Sequence, residues 1–245
     1  MKEEQMENRT VQAVIWDYDG TLANTQHKNL AVTRKIVEHV TGRSADEFPV
    51  LHSVEAYMNM TTQAMNWREM YQAEYEMTPE QTDWAGQLWA EYQSQDVTPV
   101  PVYNGVKTVL EALQHFPQGI VSQNARSNII EALQAQGIAR YFTCIIGFEE
   151  VDIRRQKPEP DGLLRCIKEL TGFLPGYIVY IGDHETDVRC AQNADCELHK
   201  NSFDIRVISI GICHDDMTKP TQWKFAPDHT ASSPEDIIHI VDSMI

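Results

Sequence analysis

Short apolar runs alternating with helical patterns constrain this chain more than any other feature. "VQAVIW" (residues 11–16) is followed much later by "GIVS" (119–122), "CIIGF" (144–148), "YIVYIG" (177–182) and "RVISIGI" (206–212). Before and between the later runs lie "VKTVLEALQH", "SNIIEALQAQG", "DGLLRCIKELTG" and "TDVRCAQNA", each with helical spacing. A last helix begins at Ser233-Pro234, with Glu235 and Asp236 in its first turn. Apolar strands separated by helices give a parallel sheet covered on both faces. The expected fold is α/β, with a Rossmann-like parallel sheet as its core.

The stretch after the first strand breaks that rhythm. "NLAVTRKIVEHV" places Val32, Ile36 and Val40 on one helical face. A longer stripe runs Ala56, Met60, Ala64, Trp67, Tyr71, Tyr75 in steps of three or four. "TPEQ" (78–81) offers a helix start, with Thr78 as N-cap, Pro79 at the first position and Gln81 closing a capping box. Trp84, Leu88 and Tyr92 continue that helix's apolar face. "TPVPVYNG" (98–105) then ends the block with two prolines and a glycine. The expected division is 1–23 with 99–245 as an α/β core, and 24–98 as a helical cap inserted after the first strand. The Met and aromatic stripe reads as helix-to-helix core, with a ligand-lining role as the alternative.

Composition narrows the functions open to such a chain. With 42% hydrophobic residues among 245, a sizeable core is available. The start, "MKEEQMENRT", is polar and is expected to be neither a secretory signal nor a membrane span. Without a signal, the glycosylation patterns at Asn8 and Asn59 read as chance. Cys144, Cys166, Cys190, Cys196 and Cys213 are odd in number and form no C-x-x-C pair, so reduced thiols and a cytoplasmic location are expected. Cys190, Cys196, His199 and His214 lack the spacing of a zinc site. A net charge of −16 argues against nucleic acid as partner, and nothing points to a membrane. The same charge means that an anionic substrate needs a local cation to approach.

Ligands of parallel α/β sheets bind at the carboxyl ends of the strands. There the first strand places Asp17 and Asp19, "GIVS" places Ser122, and "YIVYIG" leads into Asp183 and Asp187. The loop "RRQKPEP" brings Lys157 before two prolines. Singly, each has a plain explanation: an Asp-Gly turn, a helix cap, a surface lysine, acids at a helix start. Four such groups in order along one sheet edge are not explained that way.

Asp17-Tyr18-Asp19-Gly20-Thr21, Ser122, Lys157 in "KPEP" and "GDHETD" (182–187) together resemble the four motifs of the haloacid dehalogenase superfamily, over nearly the whole chain. The helical insertion resembles the subgroup with a small helical cap that includes phosphoglycolate phosphatase-like enzymes. The resemblance implies a Mg²⁺-dependent phosphatase acting on a small phosphorylated metabolite, as a monomer or homodimer. Asp17, ionised near neutral pH without help, can attack phosphorus and form an acyl phosphate. Asp19 can protonate the departing alkoxide and then take a proton from the hydrolytic water. By resemblance Mg²⁺ is held by the Asp17 side chain, the Asp19 backbone carbonyl and Asp183. Lys157 adds a second positive charge at the phosphoryl group and Ser122 a hydrogen bond. Asp187 stands one step back, orienting Lys157 or a metal-bound water.

Two departures from the family pattern stand out. Gln123 follows Ser122 where asparagine is frequent, and Asn124 is displaced by one, which leaves the phosphate donors of this loop open. After Asp187, residues 193–206 are longer than the usual short turn and read as a surface elaboration. Within the family, Asp19 argues against dehalogenases, which lack an acid there, and against phosphonate-cleaving members, which tend to carry alanine. A phosphomutase of the β-phosphoglucomutase kind shares every motif and stays open, as does a catalytically silent binding protein. Free phosphate as product separates phosphatase from mutase. Substrate choice is expected from the cap, around Met58 to Arg68, with Trp67 and Arg68 as candidate contacts and Arg34 and Arg43 as further cations.

Overall fold

A computed structural model describes residues 10–214 and 220–244, so the Asn8 sequon lies outside the described residues. Six parallel strands make one sheet: β1 (Val11–Trp16), β2 (Gln118–Val121), β3 (Cys144–Ile146), β4 (Gly176–Gly182), β5 (Ile205–Ile212) and β6 (His229–Ala231). Their order is β3-β2-β1-β4-β5-β6. The chain therefore winds outward from β1 to β3, then returns to β1's other side with β4. β1 is the point where the winding reverses, which is where such sheets open a crevice at their carboxyl ends. Trp16 is in register with Ile120 on one side and Ile181 on the other, so three strands end together there.

Side-chain alternation along the strands sends neighbours to opposite faces. Ala13 and Ile15 join Ile178, Tyr180 and Val207 in a core with α7 (Asp161–Thr171) and α8 (Glu185–Lys200). Trp16 faces the other way, and its indole donates to the Gln118 side chain at 2.9 Å. Gln118 in turn donates to the Leu110 carbonyl of α5 (Val106–Ala112). α6 (Arg126–Ala135) follows β2, and α9 (Pro234–Asp242) ends the described chain, capped by Ser233 as its sequence indicates. No helix of the described residues is long and apolar enough to cross a membrane.

The chain divides into two units, Met1–Ala23 with Val102–Ile245, and Asn24–Pro101. The second is three residues longer at its end than the stretch delimited by sequence. It contains α1 (Gln26–Thr41), α2 (Val54–Gln63), α3 (Trp67–Glu74) and α4 (Pro79–Gln95). Its core is Val32, Ile36, Val40, Phe48, Tyr57, Met60, Tyr71, Tyr75 and their neighbours. The Met and aromatic stripe is thus packing, with Tyr75 edge-on to both Phe48 and Tyr71. At its end Lys35 reaches the buried Asp96 at 2.7 Å, which with Thr98 holds that carboxyl down at about 2 against its burial.

Three sequence readings change. The stripe is not one helix: Ala64 is extended, and Asn66 starts α3 by accepting from the Arg68 and Glu69 backbone. Trp84 is 42% exposed, because the inward face of α4 is set by Thr82 and Ala85. Residues 193–200 are not a surface elaboration but the second half of α8, leaving only a short turn before β5. Ala191, Ala194 and Leu198 carry that half into the core. Leu198→Ala is expected to lower unfolding free energy by about 2–5 kcal/mol. The adjacent exposed Cys196→Ala should stay within about 0.5 kcal/mol, both read by denaturant titration.

Candidate active site

The strand ladder continues one residue past β1: the Asp17 N–H donates to the Ile181 carbonyl at 2.8 Å. This fixes Asp17 at the carboxyl edge between β1 and β4. The chain then turns sharply, with the Leu22 and Ala23 N–H groups both donating to the Tyr18 carbonyl at 3.1 Å. Gly20 makes the turn possible. Its φ is +79°, and a Cβ there would lie 2.0 Å from Asp183 Oδ2, so no side chain fits.

Lys157 enters from the loop after β3. Its Nζ lies 2.5 Å from Asp17 Oδ1 and 2.6 Å from Asp187 Oδ1, with the side chain only 6% exposed. Asp187 sits in the first turn of α8. Its Oδ1 also accepts from the Tyr180 hydroxyl at 3.1 Å and its Oδ2 from the His184 N–H at 3.2 Å. Asp183 accepts at 3.2 Å from the Thr21 hydroxyl. The Thr21 carbonyl in turn accepts from His214 Nε2 at 2.9 Å, and the His214 ring stacks on Tyr103. Asp19 is held from the loop after β2, by the Ser122 hydroxyl at 3.1 Å and the Asn124 amide at 3.0 Å.

Burial dominates the electrostatics. It pushes the Asp17 carboxyl up to about 8, with Asp187 and Asp19 adding to the rise and Lys157 opposing it. Asp183 is also driven well above the carboxylate range, by desolvation of its carboxyl first and then by Asp17 and Asp187. Burial works against the Lys157 charge, but Asp17 and Asp187 outweigh it and hold the ammonium well above its ordinary value. Among the described residues, Asp17, Asp183 and Asp187 are the one cluster able to hold a metal ion, their ligand oxygens within 4.8 Å of one another. Three carboxylates against one ammonium leave two negative charges uncompensated when all are ionised. An all-oxygen donor set with that deficit fits a hard divalent cation such as Mg²⁺. No metal-holding cluster forms from Cys190, Cys196, His199 and His214 among the described residues, and none of the five cysteines is in a disulfide.

The six core residues singled out by sequence, Asp17, Asp19, Ser122, Lys157, Asp183 and Asp187, thus meet at one sheet edge. Sequence reasoning left out Asn124, Thr21 and Tyr180 as members of this network. Asn124 carried a signal, since it is the amide that follows a strand-end serine after one intervening residue. Thr21 lay inside the first motif, and Tyr180 looked like any strand aromatic. Trp67 and Arg68 belong to the helical unit. Trp67 lies over Gly86, where a Cβ would meet its ring at 2.8 Å, and edge-on to Tyr71. Arg68 pairs with Asp83, Arg34 with Asp46, and Arg43 with Glu47 and Glu76.

Comparison with known proteins bears on this arrangement. The family described as haloacid dehalogenase-like hydrolase matches residues 14–199. Over 239 residues the chain is 24% identical to pyrophosphatase PpaX of Bacillus pumilus, covering 96% of this chain and 99% of that one. Phosphoglycolate phosphatase of Escherichia coli is 34% identical over 93 residues, 37% of this chain and 36% of that enzyme. The structure of a haloacid dehalogenase-like family hydrolase from Streptococcus pneumoniae superposes with a TM-score of 0.68. At 16% identity, over 94% of this chain and 98% of that one, this is a likeness of fold.

The raised Asp17 carboxyl has a measurable consequence. Between its ordinary value of 3.8 and about 8, the folded chain keeps a proton at Asp17 that the unfolded chain releases. Stability from this group therefore falls as pH rises through that window. In chelator, the Tm difference between Asp17→Asn and wild type is expected to shift by a few degrees in the variant's favour between about pH 5 and about pH 9. Added Mg²⁺ should raise the wild-type Tm more than that of the variant. Parallel Tm profiles would show that Asp17 is not the group responsible.

Proposed function

The chain belongs to the haloacid dehalogenase-like hydrolase family, and from that premise we propose that it is a Mg²⁺-dependent phosphatase of small phosphate monoesters, working through an aspartyl-phosphate. The observation that carries this reading is the set Asp17, Lys157 and Asp19 at one strand end: nucleophile, cation and proton carrier. The relatives are named for hydrolysis of a pyrophosphate and of a phosphate ester, which are both phosphoryl transfers to water.

Burial holds the Asp17 carboxyl up to about 8, so, unlike the expectation from sequence, it needs nearby positive charge to ionise. In the first half-reaction its carboxylate form supplies the electron pair for a new bond to phosphorus. The bond from phosphorus to the leaving oxygen breaks with its pair on that oxygen, which takes a proton from Asp19. In the second half, water attacks phosphorus and gives a proton to Asp19, while the bond to Asp17 breaks. Free phosphate leaves, Asp17 is restored as a carboxylate and Asp19 in its protonated form. Lys157 places positive charge beside the nucleophile, where the phosphoryl oxygens gather negative charge. Asp187 and Tyr180 fix Lys157 from behind. The Asp17 and Asp183 carboxylates and the Asp19 carbonyl would hold Mg²⁺, which supplies charge neutralisation between nucleophile and phosphate. Ser122 offers a hydroxyl at the same edge. In this reading the 24–101 unit is the cap, and Trp67 and Arg68 contribute to the choice of substrate.

A Mg²⁺-supplemented screen of phosphorylated metabolites, including inorganic pyrophosphate and 2-phosphoglycolate, with free phosphate as readout, tests the proposal. Wild type should release phosphate from at least one compound. Asp17→Asn should abolish that release with the fold intact, and Lys157→Ala should lower kcat/KM by about 10²–10³. Phosphate release by Asp17→Asn near the wild-type rate would overturn the assignment.

A further inference from the structure

We propose that Asn124 is a positioning residue for Asp19, holding its carboxylate in the orientation for proton transfer to the leaving group. This rests on the phosphatase reading above and assigns the displaced asparagine a task within it.

The loop after β2 engages both oxygens of Asp19. Ser122 Oγ reaches Oδ2 at 3.1 Å, and Asn124 Nδ2 reaches Oδ1 at 3.0 Å. One donor on each oxygen fixes the plane of a carboxylate as well as its position. That matters here because Asp19 is only partly buried and stands beside Gly20, on a turn rather than in the strand. Asn124 is itself locked. It is buried, its Oδ1 accepts from the Ala125 N–H at 2.8 Å, and its backbone N–H donates to Ser122 Oγ at 3.0 Å. Its carbonyl accepts from the Phe148 N–H at 3.1 Å, which ties it to the turn after β3. With Oδ1 committed to Ala125, the amide can present only its NH₂ group to Asp19. Ser122 has a single hydroxyl proton, and it too is directed at Asp19. Gln123, which takes the place expected for an asparagine, is exposed and donates instead to the Lys157 carbonyl at 3.2 Å. The one-residue displacement therefore delivers an amide to Asp19 from inside the loop.

A proton donor must lie within hydrogen-bond reach of the leaving oxygen, and small misplacements are costly. The need depends on the leaving group. An alkoxide requires the proton as its bond to phosphorus breaks, whereas a nitrophenolate departs without one. Loss of Asp19 positioning should therefore slow aspartyl-phosphate formation from alkyl phosphates selectively, while hydrolysis of that intermediate is common to both classes. Loss of a phosphate contact would harm both classes alike.

The test compares kcat/KM, which reports formation of the aspartyl-phosphate and not its hydrolysis, for an alkyl phosphate and for 2,4-dinitrophenyl phosphate in wild type, Asn124→Ala and Asn124→Asp, with Asp19→Asn as reference. Asn124→Asp keeps the acceptor for the Ala125 N–H while replacing the donor to Asp19, which guards against a simple folding defect. Tm is measured for every variant. Both Asn124 variants should lose about 10²-fold on the alkyl phosphate and less than about 3-fold on the dinitrophenyl ester. This is the pattern of Asp19→Asn in milder form. Equal losses on the two esters, or no loss on either, would overturn the role of Asn124 and leave the phosphatase reading standing. A wild-type protein that releases phosphate from neither ester would overturn that reading, and this inference with it.

Discussion

The Lys157 ammonium, buried between Asp17 and Asp187, is the contact on which the rest of the site depends. It joins residues 140 and 30 positions apart in sequence. One comes from the end of the central strand, one from the first turn of α8, and the lysine from the loop before α7. Buried ion pairs gain little net stability, because desolvation offsets much of their attraction. What this one does is decide which carboxylates can come together. Without the cation, nothing would oppose the desolvation and mutual repulsion that already hold the Asp17 and Asp183 carboxyls above their ordinary range. With it, the cluster still has more carboxyl groups than cations, and that excess favours a hard divalent ion when the acids ionise.

The sheet supplies the rest of the geometry. β1 lies between β2 and β4, so side chains at its end are bordered by the loops that follow both neighbours. The loop after β2 brings Ser122 and Asn124 to Asp19, and the turn after β4 brings Asp183 toward Gly20. Two glycines make these approaches possible. A Cβ at Gly20 would collide with Asp183, and one at Gly182 would lie 2.3 Å from the Asp187 Cγ. Close packing of acidic side chains against bare backbone lets one strand end host several of them. The two carboxylates of the first motif end up in different environments. Asp17 is buried and paired with a cation, while Asp19 is partly accessible and held by neutral donors.

Most of this was legible in the sequence, for identifiable reasons. The strands are nearly continuous apolar runs because both faces of the sheet are covered, and the acids follow those runs directly. The capping box at Thr78 and the helix start at Ser233 were readable because their signals are local. The misreadings have physical causes too. β6 is three residues long with two of them exposed, too short for a periodic signal. The second half of α8 buries alanines and a single leucine among polar residues, so its apolar face is faint. Trp84 was placed inside because a tryptophan outweighs the small Thr82 and Ala85 that turn inward. The partners of Asn124 are set by how a loop folds back on itself, which residue spacing does not reveal. The arginines of the helical unit looked available for substrate, yet the acids that engage them lie as far as 33 positions away.

The central claim is that Asp17 carries the phosphoryl group during turnover. Acid quenching of the protein in the steady state with Mg²⁺ and a substrate, followed by peptide mass analysis, tests it most directly. The predicted result is one added HPO₃ group on the peptide containing Asp17, absent when substrate is omitted and absent in Asp17→Asn. Turnover with no adduct on that peptide, or with the phosphoryl group on another residue, would contradict the account.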